Sequence, residues 1–356
     1  MKERVGPIKD GEGNIILSKP ETAETLNKFF SEVFTKEDDI VPTMTELYDN
    51  DIDKLTGIYI SDDMVIEKLK ELENGKATGP DGIATDFLKE LAEVVAMPLS
   101  MIYSKSLNDA EIPEDWKAAN ITPLFKKGLR SDVSNYRPVN LTSVPGKVME
   151  KILRDAIVNH LESNRLIQET QHGFRRKKSC LTNMLQYWDK VTGYVDKGTP
   201  VDVVYLDLQK AFDTVPHNRL ITKVRAHGIE GPILSWIKEW LRNRRQRVVL
   251  DGVESEWKEV TSSVVQGSVL GPICFTMFMN DMDFDVFSEL SKFADDTKMI
   301  RPINGVDDRE SFHEDIDTLM TWTNKWQMSF NAGISFVMHF GYGNPKYTYY
   351  MNGREI

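Results

Sequence analysis

Apolar residues recur at helical spacing in several long stretches of the chain and alternate with polar ones in several short stretches. Ala23, Leu26, Phe30, Val33 and Phe34 predict a helix between Pro20 and Phe34. Ser61 suits the N-cap of a second helix with Met64, Val65, Leu69 and Leu72 on one face, and the turn from Asn74 to Gly82 stops it. A longer apolar helix is expected roughly from Thr85 to Leu107. Amphipathic helices are expected from Lys147 to Glu162, around Leu220 and Val224, from Pro232 to Arg242 and from Asp307 to Trp326, with a buried one from Ile273 to Phe287. Trp322, Trp326 and Met328 sit at helical spacing and read as core.

The short stretches read as strands. Ala119 to Phe125 runs into Lys126-Lys127-Gly128, and Tyr136 to Leu141 is its expected partner. Val201 to Leu206 is β-branched and aromatic, reads as buried, and delivers Asp207 at its end. Arg247–Asp251 and Trp257–Thr261 alternate like a pair. Ser288 to Phe293 and Thr297 to Ile300 read as a hairpin carrying Asp295 and Asp296 at its tip. Phe336 to Phe340 is a last short strand. Gly6 to Asn14 is a turn-rich lead-in, and residues 36–60 are acidic, aperiodic and read as a linker. Helices and hairpins without regular βαβ alternation favour an α+β fold.

Two adjacent aspartates are usually a solvated turn. Here a third, Asp207, ends a separate buried strand. Carboxylates at the ends of neighbouring strands can bind two divalent cations about 4 Å apart, an arrangement that phosphoryl transfer uses. Asp213 lies six residues beyond Asp207 and reads as a structural turn residue.

Composition narrows the classes. The chain has 356 residues, 40% hydrophobic, enough for a large core and two or three subdomains. It contains neither an apolar run of membrane-spanning length nor the apolar stretch of a signal peptide after Met1-Lys2-Glu3-Arg4. An intracellular protein of the cytoplasm or nucleus, neither secreted nor membrane-bound, is expected. Cys180 and Cys274 lack zinc-ligand spacing and read as reduced thiols, and the six histidines form no metal-like cluster. The net charge of -11 argues against nucleic acid only on average. Residues 1–116 carry -14 and residues 281–356 carry -6, whereas residues 117–180 carry +8 and residues 219–247 carry +6. Binding follows local potential, so two basic blocks suit a phosphate-tracking groove. The plainer reading of Arg242, Arg244, Arg245 and Arg247 is a solvated helix end favoured by the helix dipole.

Six segments in order carry a resemblance. They are Gly75-Lys76-Ala77-Thr78-Gly79-Pro80-Asp81-Gly82, Asn135-Tyr136-Arg137-Pro138, Gln171-His172-Gly173-Phe174-Arg175, the Asp207 strand, Gln266-Gly267-Ser268-Val269-Leu270-Gly271-Pro272, and Phe293-Ala294-Asp295-Asp296. From about Gly6 onward the chain resembles the reverse transcriptase domain of non-LTR, LINE-type retrotransposons, most closely the jockey-like mobile elements. The resemblance implies a right-hand polymerase: an antiparallel palm sheet with helices, plus fingers, and a thumb cut short. It divides the chain into an N-terminal extension and linker (1–60), fingers (61–200), a palm (201–341) with a fingers-side insertion around 219–262, and the start of a thumb connection (342–356).

The same resemblance assigns roles. Asp207, Asp295 and Asp296 would be catalytic and hold two Mg2+ ions, with Mn2+ as the alternative. Lys126 and Arg137 would grip the incoming triphosphate as a point charge and a bidentate fork. Phe212 would exclude the 2′-hydroxyl, and Gln266 would position the nucleotide or template base. Arg175, Arg176, Lys177 and Lys178 would meet nucleic-acid phosphates, contacts that set affinity and register more than sequence. The implied partners are an RNA template, a DNA primer and deoxynucleotides.

Departures from the pattern keep rival readings open. Ile334 and Ser335 stand where the family usually carries a Lys-Cys pair, whose lysine could protonate the leaving pyrophosphate. Loss of such a general acid typically costs about a hundredfold or more in rate. The missing thumb, and the absence of the endonuclease that usually precedes this domain, suggest a fragment. The rivals are a truncated, weak or inactive relic that binds nucleic acid at most, and another two-metal phosphotransferase such as a nuclease. Phe212 and the Gln266–Pro272 segment disfavour the nuclease, which needs no sugar gate.

Overall fold

In the computed structural model, which describes residues 5–44 and 52–356, two larger sheets organise the chain. Residues 1–4 and part of the expected linker, residues 45–51, lie outside the described residues. The first sheet has the order Phe336–Phe340, Val201–Leu206, Asp296–Pro302, Glu289–Phe293, and every neighbour is antiparallel. Val201–Leu206 is central because its apolar residues are wanted on both faces. Val201 and Val203 join Ile300 against Tyr187 and Val191 of the helix Cys180–Val195. Val204, Leu206 and Met299 face the main core, where Phe275 and Phe278 of the helix Gly271–Phe278 and Phe312, Ile316 and Leu319 of the helix Val306–Trp326 are buried.

The second sheet is mixed. Ala118–Phe125 pairs antiparallel with Tyr136–Thr142, as the alternation predicts, and parallel with Arg244–Leu250. Lys258–Val260 and Val253–Glu254 pair with Arg244–Leu250. The helix Lys19–Ser31 lays Ala23, Leu26 and Phe30 on Ile121, Val248 and Leu250 of this sheet. Among the described residues no helix is long and apolar enough to cross a membrane.

Several expectations need adjusting. The apolar helix from Thr85 is interrupted at Leu91, giving Thr85–Glu90 and Ala92–Asp109. The helix expected to reach Phe287 stops at Phe278, and Asn280–Asp283 forms a single 3-10 turn. Tertiary partners claim its polar side chains: Asn280 bonds the Gln168 amide at 2.8 Å and Asp281 pairs with the buried Lys223 at 2.6 Å. Arg244 is not part of a solvated helix end. It begins a strand whose alternation turns Arg244, Gln246, Val248 and Leu250 inward, and its guanidinium donates to the Trp240 carbonyl at 3.0 Å. The lead-in pairs Ile8–Lys9 with Ile15–Ile16. The described part of residues 36–60 contains no helix or regular strand, yet it is tied down. Glu37 and Asp38 pair with the buried Arg219, and Leu55 bonds the backbone of Gly228 and Glu230.

Candidate active site

Asp207 follows directly on the last residue of the central strand. Its carbonyl accepts from the Asn331 N–H at 2.7 Å, and its own N–H reaches the Ser335 hydroxyl at 3.5 Å. On the neighbouring strand Thr297 is paired with Leu206. Asp207 and Asp296 therefore open on the same cleft, about 300 Å3 in volume, with Tyr205, Lys298, Ile334 and Phe336 also on its walls.

Asp295 occupies the hairpin turn. Phe293 and Asp296 are cross-strand partners, so Ala294 and Asp295 alone make the loop, and Ala294 takes a φ of 56°. Two-residue hairpin loops commonly need a positive φ, which glycine supplies most easily. An alanine there implies that surrounding structure holds the turn.

The carboxylates repel one another. Burial, then the Asp296 charge, raise the Asp207 carboxyl above its ordinary value, while Lys126 opposes the rise. Asp295 is also raised, first by burial and further by Asp296 and Asp207, against the pull of its own amide and of Arg137. Lys126 and Arg137 are exposed at the loop end of the hairpin Ala118–Phe125/Tyr136–Thr142, and their fields reach these two carboxylates.

Five residues after Asp207, Phe212 stacks on Phe275 with ring centroids 4.4 Å apart and planes 15° apart. Asp213 is buried and accepts a hydrogen bond from the Gln266 amide at 2.9 Å. The Gln266 backbone carbonyl accepts from the Asn140 side chain at 2.9 Å and from the Asn140 backbone N–H at 3.2 Å. Gly267 has a φ of 95°, and a Cβ there would stand 2.8 Å from the Asn140 carbonyl oxygen, so this turn requires glycine.

The basic run divides. Arg175 and Lys178 both fold onto Glu169, at 3.2 and 2.8 Å. Arg176 leans towards Glu162 and Asn159 while remaining exposed, and Lys177 is exposed.

A family model described as reverse transcriptase (RNA-dependent DNA polymerase) matches residues 125–340, more than half of the chain. The chain belongs to this reverse transcriptase family. It is 28% identical over 287 residues to the RNA-directed DNA polymerase from mobile element jockey of Drosophila funebris, covering 77% of this chain and 31% of that protein. Similarity to the probable RNA-directed DNA polymerase from transposon BS of Drosophila melanogaster is 27% over 277 residues, covering 75% and 30%. A third relative, the probable RNA-directed DNA polymerase from transposon X-element of the same fly, is 26% identical over 278 residues, covering 76% and 30%. The chain thus spans about a third of the length of these curated relatives.

Reverse transcriptases generally use divalent metal ions, and the donor set here suits such an ion. Its groups are carboxylate oxygens, partly buried and mutually repelling, and hard cations prefer that chemistry. Among the described residues no three or more His, Cys, Asp or Glu side chains are gathered as a ready-made metal cage. Ligands drawn in by the ion itself, with substrate phosphates completing the shell, are the usual arrangement for Mg2+.

Sequence reasoning gave no role to Asn331 or Gln171. Asn331 pins the Asp207 carbonyl from a separate loop and offers no sequence signal for it. Gln171 was visible as part of a motif, and its contacts involve the Ala294–Asp295 turn.

Proposed function

We propose that the chain is the RNA-directed DNA polymerase domain of a non-LTR retrotransposon, adding deoxynucleotides to a primer 3′-hydroxyl on an RNA template. The observation that carries this reading is the shared cleft of Asp207 and Asp296, with the Lys126 and Arg137 hairpin close enough to act on Asp207 and Asp295. Residues 61–200 would serve as fingers and 201–341 as palm, with the insertion around 219–262.

Asp207, Asp295 and Asp296 would hold two Mg2+ ions. When bound, the metal lowers the pKa of the attacking hydroxyl and offsets charge on the departing pyrophosphate. The remaining tasks fall to side chains. Lys126 and Arg137 bind the triphosphate, and their exposure leaves them open to it. Phe212, backed by Phe275, excludes a 2′-hydroxyl. The Gln266 side-chain amide, anchored on Asp213 while Asn140 fixes its backbone carbonyl, presents a fixed edge to the nucleotide or template base. Arg176 and Lys177 are the members of the basic run best exposed to meet template phosphates, with Arg175 and Lys178 released from Glu169 as the alternative pair.

One observation favours a second reading, a nucleic-acid-binding domain with little turnover. Ile334 is exposed on the cleft wall where a lysine would otherwise face the leaving group. Primer extension on poly(rA)/oligo(dT) with dTTP and Mg2+ separates the two. Extension that disappears in Asp295→Ala supports polymerisation, whereas retained template binding without extension by the unmodified chain supports the second reading.

A further inference from the structure

The catalytic turn is held from outside its own hairpin. The Gln171 side chain is buried, with 1% of its surface exposed. Its carbonyl oxygen accepts from the Ala294 N–H at 3.0 Å and the Gly173 N–H at 2.7 Å, while its amide donates to the Ala294 carbonyl at 3.2 Å. One side chain thus satisfies both polar backbone groups of the residue held at positive φ, immediately before Asp295. The backbone around it adds to the edge of the sheet: the Lys292 N–H donates to Thr170 at 2.9 Å and the His172 N–H to Lys292 at 2.9 Å.

Two neighbours of Gln171 extend the contact. A Cβ on Gly173 would stand 2.4 Å from the Ala294 nitrogen, so only glycine lets the two loops approach this closely. Phe174 then meets Phe212 edge to face, with centroids 6.2 Å apart and planes at 77°. The segment from Gln171 to Phe174 therefore touches the turn before Asp295, through Gln171 and Gly173, and the Phe212 ring, through Phe174.

We propose that Gln171 is a positioning residue for the Asp295–Asp296 turn and that Phe174, through Phe212, contributes to sugar discrimination, so that one loop couples metal binding to nucleotide choice. The catalytic consequence rests on the polymerase reading above. The brace itself does not, and it can be measured separately.

The test is amide hydrogen exchange on the full chain, followed by steady-state extension. Gln171→Met keeps the volume but removes all three hydrogen bonds, and exchange at Ala294 should accelerate by about tenfold or more while the helix Val306–Trp326 is unchanged. Gln171→Glu retains the acceptor and should keep most of the protection, which also covers the case in which Gln171→Met fails to fold. In extension, Gln171→Met should lower kcat by about a hundredfold with KM for the deoxynucleotide nearly constant. Phe174→Ala should reduce preference for deoxynucleotides over ribonucleotides without altering Ala294 exchange. Unchanged Ala294 exchange in Gln171→Met, or unchanged kcat despite faster exchange, overturns the role of Gln171, and unchanged discrimination in Phe174→Ala overturns that of Phe174. If exchange responds but the unmodified chain extends no primer, the polymerase reading fails and the brace stands.

Discussion

Asp207 and Asp296 face each other from adjacent antiparallel strands, because Leu206, just before the first, is paired with Thr297, just after the second. Burial, and then the Asp296 charge, raise the cost of ionising Asp207 unless a cation intervenes. Removing one charge should relieve the metal-free fold. Asp207→Asn is therefore expected to melt slightly higher than the unmodified chain without divalent cations and to lose the rise in Tm that Mg2+ produces. An undiminished Mg2+-dependent rise in the variant would contradict the shared site.

Asp213 gives a pH signature. Burial pushes its carboxyl up to about 6, against an ordinary value of 3.8. The unfolded chain gives up this proton at lower pH than the fold does, so the stability associated with Asp213 falls as pH rises from about 4 to about 6 and stays lost above. Asp213→Asn avoids that cost and keeps an oxygen for the Gln266 amide. The variant should be more stable at pH 7.5 by up to about 3 kcal/mol, and little different at pH 4. Chemical denaturation at the two pH values decides it, and an equal difference at both counts against a buried, charged Asp213.

How much of this was legible depends on whether a pattern reports one partner or several. The hairpin around Asp295 could be read because two short apolar stretches flank the aspartate pair and the turn between them is only two residues long. The strand Val201–Leu206 could be read because both its faces are buried in apolar residues. The end of the helix Gly271–Phe278 could not, because Asn280 and Asp281 look like ordinary helix residues until Gln168 and Lys223 are brought to them. Arg244 was misread for the same reason: within a basic run, an inward-facing arginine has the same letter as its solvated neighbours. Of the candidate site, the aspartates and Phe212 are the residues the sequence motifs point to. The contacts that hold them, from Asn331 and Gln171, are long-range hydrogen bonds with no local signature.

Ile334 lies on the wall of the cleft that Asp207 and Asp296 share. A lysine there would bring an ammonium group within the field of both carboxylates and supply a proton donor for the leaving group. Ile334→Lys should raise the rate of extension by about tenfold or more, and should draw the carboxyl of Asp207 down from its raised value. A pH–rate profile reads both effects. An unchanged rate and profile would mean that position 334 does not address the reacting phosphates.

The acidic stretch before Ser61 should contribute to stability through its ion pairs with the buried Arg219. Arg219 retains 3% exposure and depends on Glu37 at 3.3 Å and Asp38 at 2.8 Å, while Glu37 also accepts from the Asn218 and Arg219 backbone. Glu37→Ala leaves a buried guanidinium short of its least exposed partner and should cost about 3 kcal/mol. Asp39→Ala, nearby but without such a contact among the described residues, should be close to neutral. Similar losses from both substitutions in urea melts would argue that the segment contributes only general charge.

The central claim is that Asp207, Asp295 and Asp296 form one cation site, and anomalous scattering from crystals soaked in Mn2+ addresses it most directly. The account predicts an anomalous peak in the cleft between Asp207 and the Asp295–Asp296 turn, absent from crystals of Asp207→Asn. A crystal that binds Mn2+ elsewhere and shows no peak in that cleft would contradict it.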